Sequence, residues 1–303
     1  MNIHSRRFLT LSIAACIALL GQSRPVRAGS IYEGWNYAID SPSDGSGAGE
    51  GFEMRGLAFR QVGGTGYFAV SSALPLGGVP WGGALNDRIS YGDLILNFSL
   101  HNLDAKADFS DPNVFAIRFD ALNDSLGNVG GSNPTLGIFS NLTITSLTLQ
   151  NSGYGSLQQY YNSGFAASSG AMGDLNTTTD VINYFGNGQM QPNISDGTKI
   201  GDISLLDSTQ LGALGLDFGH LGADPNGNQI FGFSVDLSQL PTGNFTSSLF
   251  FECANDGTAL YGTVSDVPTI QAVVPEPGSF VLLGTGIVGM FGWRLRRRGV
   301  DRK

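Results

Sequence analysis

The stretch Val114-Phe115-Ala116-Ile117-Arg118-Phe119 places large apolar side chains at every second position. Phe115, Ile117 and Phe119 share one face of an extended strand, because successive side chains point to opposite sides of a sheet. Ala116 and Arg118 fall on the other face. This alternation, in a run rich in β-formers, predicts a β-strand and sets the fold class.

Similar short runs recur along the chain between clusters of Gly, Asn, Asp and Ser. Leu57–Val62 and Tyr67–Ser71 flank Gly63-Gly64-Thr65-Gly66, which predicts a hairpin. Further strands are predicted at 93–100, 138–149 (with a bulge), 230–237 and 248–252. The 44 glycines in 303 residues are about twice the usual share and indicate many tight turns. We therefore predict an all-β fold, an antiparallel and jelly-roll-like β-sandwich over residues 29–272.

Two minor helices and one loop complete the predicted body. The helices are predicted at Ser156–Phe165 and at Asp207–Leu216, and the second begins with an Asp or Ser suited to a helix cap. The glycine-rich stretch Ser41–Gly51 is predicted to be a surface loop.

Charge divides the chain into an acidic body and two basic ends. Residues 29–274 hold 23 of the 25 acidic residues and only six of the 16 basic ones, which gives a formal charge of −17. A body this acidic repels phosphate backbones, so the sequence argues against nucleic-acid binding.

The N-terminus has the three parts of a secretory signal peptide. Arg6-Arg7 supply a positive charge, and Phe8–Leu20 form an apolar run of 13 residues, which is short for a membrane span. Val26-Arg27-Ala28 resembles a cleavage site of small residues. We predict a signal helix within residues 1–28, with cleavage between Ala28 and Gly29.

The C-terminus combines a proline motif, an apolar run and a basic cluster. Pro275-Glu276-Pro277 precedes 16 uncharged residues, 278–293, which as a helix reach ~24 Å. With snorkelling arginines this length can cross a ~30 Å hydrocarbon core. The basic cluster that follows is expected to stay in the cytoplasm, with the body outside. It comprises Arg294, Arg296, Arg297 and Arg298.

This arrangement at residues 273–303 resembles the PEP-CTERM sorting signal of exported bacterial surface proteins. The resemblance implies that the chain is anchored through its transmembrane helix and then cleaved near Pro275-Glu276-Pro277 by an exosortase, a membrane transpeptidase-like enzyme. Two prolines keep this motif extended and accessible to such an enzyme. A plain membrane anchor with a proline-marked boundary is the alternative interpretation.

The body resembles, more loosely, cyanobacterial surface proteins that carry this same tail. That likeness implies no activity. It lies in 34–37 (GWNY), 55–59 (RGLAF), 91–94 (YGDL) and 151–157 (NSGYGSL).

Catalytic groups are scarce in the body. His101, His220 and Lys199 are among the few side chains that could serve as bases, and each fits an ordinary surface or edge position. Cys253 lacks a nucleophile signature and fits a small buried residue. The acidic residues are mostly predicted in turns, and no pair among them marks a glycosidase. We therefore expect no enzymatic activity and no cofactor. The turn set includes Asp40, Asp44, Asp87, Asp104, Asp111, Asp124, Asp196 and Asp256.

Two oxygen-rich loops are weak calcium candidates. Asp224, Asn226 and Asn228 alternate in one loop, and residues 108–113 form another. The first has glycine at its fourth position and lacks the bidentate Glu of an EF-hand. An ordinary turn without metal is therefore the favoured interpretation for both loops.

Aromatic side chains could stack on sugars. Tyr160-Tyr161 in a polar stretch is the most suggestive pair, with Trp81 as a further candidate, although core packing is the default. The main hypothesis is a non-catalytic surface or matrix protein associated with exopolysaccharide. The alternatives are a carbohydrate-binding module with a defined sugar site and, behind it, a secreted carboxylate-based hydrolase.

Overall fold

The computed structural model describes residues 29–41, 44–45, 51–99, 106–128, 131–163, 170–222 and 228–266. Strands dominate this part of the chain, and every strand pairing is antiparallel. In chain order the strands are β1 (Ser30–Tyr32), β2 (Trp35–Ile39), β3 (Met54–Val62), β4 (Thr65–Ser72), β5 (Val79–Pro80), β6 (Arg88–Ile89), β7 (Leu94–Asn97), β8 (Val114–Arg118), β9 (Gly137–Thr145), β10 (Asn193–Gly201), β11 (Ile203–Asp207), β12 (Gln229–Asp236), β13 (Gly243–Phe250) and β14 (Gly257–Val264).

Twelve of these strands form two six-stranded sheets. One sheet has the order β1-β2-β3-β4-β12-β11, and the other has the order β10-β9-β8-β7-β13-β14. The predicted β-sandwich is confirmed, but the jelly-roll-like detail is wrong. Each sheet contains a run of strands adjacent in sequence, whereas a jelly roll has eight strands wound as two Greek keys.

The main core lies between the two sheets and is rich in phenylalanine. Phe59 and Phe68 from the first sheet pack against Phe245 from the second, with the Phe59 and Phe245 ring centroids 5.1 Å apart at 89°. Such edge-to-face pairs add about 0.5–1.5 kcal/mol each beyond the burial of their area. The inward face predicted for Phe115, Ile117 and Phe119 is confirmed.

The outer faces of both sheets are covered as well. Trp35, Ala69 and Leu211 belong to a cluster on the first sheet. Ala116 joins a cluster on the second, and Arg118 is fully buried. The outer face of β8, which carries Ala116 and Arg118, is therefore buried as well.

Three short helices pack outside the sheets, each begun by a side-chain cap: α1 (Leu157–Asn162), α2 (Thr178–Phe185) and α3 (Ser208–Ala213). Ser156 and Asp207 cap α1 and α3, which confirms both predicted helices. Asp207 also forms a capping box with Gln210, whose side-chain oxygen accepts from the Asp207 N–H at 2.9 Å. Helix α2 was not predicted.

Two local predictions fail at their ends. The strand predicted over 138–149 ends at Thr145, and Leu149 beyond it is 64% exposed. The predicted surface loop Ser41–Gly51 begins instead in the interior, because Ser41 and Asp44 are buried. No helix within the described residues is both long and apolar enough to cross a membrane. The segments 1–28 and 273–303 lie outside the described residues.

Candidate functional site

A network of buried charged side chains joins the second sheet to the segment that follows β8. We call it the Arg118 network; it comprises Asp93, Arg118, Asp120, Asp124 and Glu252, all at most 2% exposed. Asp93 directly precedes β7, Arg118 ends β8, and Glu252 comes two residues after β13. Buried charges are stable only when they are paired and hydrogen-bonded, so each carboxylate has to be accounted for.

Arg118 spreads its guanidinium over four acceptors in the segment after β8. Its Nε donates to Asn123 Oδ1 at 2.7 Å, and its Nη2 donates to the Asn123 carbonyl at 3.2 Å. Its Nη1 donates to the carbonyls of Asn133 (2.6 Å) and Thr135 (2.8 Å). This set of bonds uses the planar guanidinium of arginine, whose several donors the single ammonium group of lysine cannot reproduce.

The carboxylates of this network accept hydrogen bonds from neutral donors. Asp93 accepts from Asn123 Nδ2 at 3.0 Å, Ser125 Oγ at 2.6 Å and the Ile194 N–H at 2.8 Å. Glu252 accepts from the N–H groups of Asp124 (2.5 Å) and Ser90 (3.1 Å). Burial raises the pKa of Asp93 to about 6, while its three hydrogen bonds and the Arg118 charge oppose the shift. The groups of the network and their neighbours hydrogen-bond to one another, which fits a structural role.

A second acidic cluster lies elsewhere in the body. We call Asp40, Asp44 and Asp256 the carboxylate triad; they are 5%, 0% and 0% exposed. Asp40 directly follows β2, Asp44 lies in the chain beyond it, and Asp256 occupies the turn between β13 and β14. One carboxylate oxygen from each residue lies within 4.8 Å of the others. All three positions were predicted as turn residues, and Asp256 does lie in a turn; Asp44 was also predicted in a surface loop, and its burial corrects that prediction.

The backbone around the triad fixes two of its carboxylates. The Gly173 N–H donates to Asp40 Oδ1 at 3.0 Å. The Met54 N–H donates to Asp256 Oδ2 at 2.5 Å, and the Gly257 N–H donates to Asp256 Oδ1 at 2.7 Å. By contrast, neither carboxylate oxygen of Asp44 has a hydrogen-bond partner among the described residues, and Asp40 Oδ2 has none either.

Electrostatics at the triad is unfavourable for three negative charges. Burial raises the pKa of Asp40 well above its usual range, and the charges of Asp256 and Asp44 raise it further. The pKa of Asp256 is raised for the same reasons, with Asp44 as the strongest charged neighbour. Burial raises the pKa of Asp44 to about 7. The strongest charges acting on Asp40 and Asp256 are therefore those of other carboxyl groups.

The residues proposed for sugar stacking are not brought together. Tyr160 is fully buried, and its hydroxyl donates to the Asp44 carbonyl at 3.0 Å, so it cannot stack on a ligand. Trp81 is 38% exposed and packs edge-on against Phe52. Core packing is thus confirmed for Tyr160, and the sugar hypothesis loses that residue.

A groove of about 640 Å³ offers a different aromatic surface. Phe109 and Phe185 lie on it with nearly parallel rings, 12° apart, and Lys106, Gln189 and Gln191 line it with polar groups. Its size and its mixture of aromatic and amide groups fit a small-molecule or oligosaccharide site. Sequence reasoning missed it because its lining comes from four separate segments.

The side chains that were considered as possible bases or nucleophiles, but not predicted to be catalytic, have ordinary surroundings. Cys253 is buried, and burial raises the pKa of its thiol to about 12, so it is no thiolate at neutral pH. His220 is exposed and stacks on Tyr32 with ring centroids 3.5 Å apart. Lys199 pairs with Asp202 at 2.6 Å on the surface. His101 lies outside the described residues.

The two predicted calcium loops differ in what the structure describes. Asp224 and Asn226 lie outside the described residues, and Asn228 is exposed just before β12. In the other loop, Asp108 Oδ1 accepts from the Ser110 N–H at 2.9 Å and from its hydroxyl at 2.6 Å. Such bonds are those of an ordinary Asx turn.

The sorting motif, the basic cluster and Ala28 also lie outside the described residues; Gly29 directly precedes β1. Comparison with protein families identifies a PEP-CTERM protein-sorting motif at residues 273–298. The resemblance predicted from Pro275-Glu276-Pro277 and the residues after it is therefore confirmed. No curated protein and no solved structure is significantly similar to this chain.

Proposed function

Since the chain carries a PEP-CTERM protein-sorting motif at residues 273–298, we propose that it is an exosortase substrate displayed as a non-catalytic protein at the cell surface. The motif implies export and an exosortase as processing partner. Processing near Pro275-Glu276-Pro277 then separates the body from the apolar run and its basic cluster. In this proposal the apolar run 278–293 anchors the chain in the membrane until that step.

The non-catalytic role of the body is supported by how its reactive groups are used. The Cys253 thiol is buried and protonated, and the carboxylates of the Arg118 network are held by neutral donors and one arginine. The clustered carboxyl groups of the triad and of the Arg118 network are buried, which argues against the hydrolase alternative. A sandwich with both faces covered suits a stable module in an extracellular matrix containing exopolysaccharide.

The groove favours carbohydrate binding as a second candidate function. The nearly parallel, partly buried rings of Phe109 and Phe185 line the groove with apolar surface, and the side-chain amides of Gln189 and Gln191 supply donors and acceptors there. Sugars combine an apolar ring face with hydroxyl edges, so this mixture matches their chemistry. The carbohydrate-binding alternative therefore has the groove, and no longer Tyr160, as its candidate sugar site.

Intact-mass measurement of the protein isolated from its own cells tests the processing step. We expect the mass to lack about the last 28 residues, which corresponds to cleavage at the proline motif. Glu276→Ala is expected to retain the full tail, whereas the control Ser279→Ala, just outside the motif, is processed normally. A wild-type mass that includes Trp293 would contradict processing and leave a plain membrane anchor.

A further inference from the structure

The carboxylate triad concentrates negative charge that the described residues do not neutralise. Both carboxylate oxygens of Asp44, and Oδ2 of Asp40, have no hydrogen-bond partner among the described residues. An unpaired buried carboxylate is costly, and buried charges in proteins are normally paired or bound to metal ions. A bound cation would supply the partner that these oxygens lack and would keep the carboxyl groups ionised.

The Arg118 network shows how this same fold stabilises buried carboxylates with its own side chains and backbone groups. There an arginine and the amide and hydroxyl groups of Asn123 and Ser125 surround Asp93. At the triad, the backbone N–H groups of Gly173, Met54 and Gly257 hold the outer side of two carboxylates. One oxygen of each carboxyl group lies within 4.8 Å of the others, and Asp44 and Asp40 keep oxygens without a hydrogen-bond partner among the described residues.

A separate side chain points to a ligand at the same place. Ser41 is 5% exposed, and its hydroxyl makes no complete hydrogen bond within the described residues. It nevertheless lies close enough to the Asp44 carboxyl to lower the pKa of that group. A buried hydroxyl beside a buried carboxyl group, both without a hydrogen-bond partner among the described residues, is an arrangement that a shared cation would satisfy.

We propose that Asp40, Asp44 and Asp256, with Ser41, form a binding site for a hard divalent cation, and that this cation is calcium. All the available ligand atoms are oxygens, which hard cations prefer. Calcium binds six to eight oxygens at about 2.3–2.6 Å, so two of its ligands lie at most about 5 Å apart. The separation of 4.8 Å or less fits inside that limit.

The buried position favours calcium over magnesium. Magnesium dehydrates reluctantly and usually keeps several waters, whereas calcium accepts a cage of protein oxygens. The site also joins the two halves of the sandwich, since Asp40 follows a strand of the first sheet and Asp256 connects two strands of the second. Bound calcium should therefore stabilise one end of the sandwich, independently of what happens to the tail.

The test uses the full-length chain in mild detergent, treated with a chelator and then titrated with calcium or magnesium. Extracellular calcium sites have dissociation constants of about 10⁻⁴–10⁻³ M, so we expect a saturable response in that range. At 10 mM calcium the melting temperature should rise by about 3–10 °C, and magnesium at 10 mM should give a much smaller rise. Terbium, a luminescent calcium substitute, should bind near Tyr160 and be displaced by calcium.

Variants separate the triad from general screening of an acidic body. Asp44→Asn should abolish the calcium-dependent rise, whereas Asp108→Asn, which changes an exposed Asx turn, should retain it in full. If Asp44→Asn fails to fold, the terbium measurement on the wild-type chain still decides. No melting shift with 10 mM calcium, no terbium signal displaced by calcium, or an unchanged shift in Asp44→Asn would each overturn the proposal.

Discussion

Replacing Arg118 with methionine removes the cation of the Arg118 network while nearly keeping the side-chain length. Four acceptor oxygens lose their donors, two on Asn123 and one each on Asn133 and Thr135. Removing one partner from a buried charged group typically costs about 3–5 kcal/mol. Since a domain is stable by only about 5–15 kcal/mol, Arg118→Met should remove a large part of the free energy of unfolding.

The cost of this substitution should depend on pH with a definite sign. The charge of Arg118 lowers the pKa of Asp93 and is itself favoured by Asp93, Asp120 and Glu252. Without the arginine these carboxylates are unneutralised, so the variant suffers most where they are ionised. In urea unfolding, Arg118→Met should therefore lose more free energy of unfolding, relative to the wild type, at pH 8 than at pH 5, where some of the carboxyl groups are protonated.

Arg88→Met is the matched control, because Arg88 also donates to backbone carbonyls but is only half-buried. Its Nη1 donates to the carbonyls of Gly77 (2.7 Å) and Gly78 (3.1 Å). We expect a loss of about 0.5–1.5 kcal/mol, the usual net value of a hydrogen bond, with little dependence on pH. An Arg118→Met loss below about 1 kcal/mol, or one equal at both pH values, would refute the role assigned to the network.

Two further predictions concern Asp93 and the groove. Because folding raises the pKa of Asp93 from 3.8 to about 6, the folded state binds its proton more tightly. Its contribution to stability is complete below pH 4 and is lost, by about 3 kcal/mol in all, as the pH rises to 6. Urea unfolding between pH 4 and 6 should show a smaller fall for Asp93→Asn than for the wild type; equal slopes would contradict the assignment. On a glycan array, Phe109→Ala should abolish any specific binding that the wild type shows and Trp81→Ala should preserve it, whereas binding lost only in Trp81→Ala would place the sugar site elsewhere.

Local sequence patterns were sufficient where local forces decide the structure. The hairpin of β3 and β4 was predicted from two alternating runs around Gly63-Gly64, and Val62 pairs with Thr65 across that two-residue turn. Gly63 has a φ of +58°, which glycine adopts without strain. Helix α3 was predicted from its cap for a similar reason, since a capping box is complete within four residues.

Elements that depend on distant partners were missed or misplaced. Strand β10 has the sequence NISDGTKIG, which resembles a turn, yet it pairs with β9 through several register shifts. Helix α2 begins with three residues that disfavour helix, and the Thr177 cap together with burial of Val181 and Tyr184 stabilises it. Tertiary contacts override weak propensities in both cases. The burial of Arg118 could not be predicted from local sequence either, because other parts of the chain cover this face of β8.

The carboxylate triad could not be predicted from local sequence, because its three residues are brought together only by folding. Aspartate near glycine and serine predicts a turn, and Asp256 does occupy one, but turn chemistry says nothing about burial. Asp40 and Asp44 come from the start of the body and Asp256 from its end, so the unfolded chain has no preformed site. Binding free energy at such a site is folding free energy. The dissociation constant measured by calcium titration should therefore also account for the calcium-dependent gain in the free energy of unfolding. A peptide that spans only residues 40–44 should not bind calcium with the same affinity.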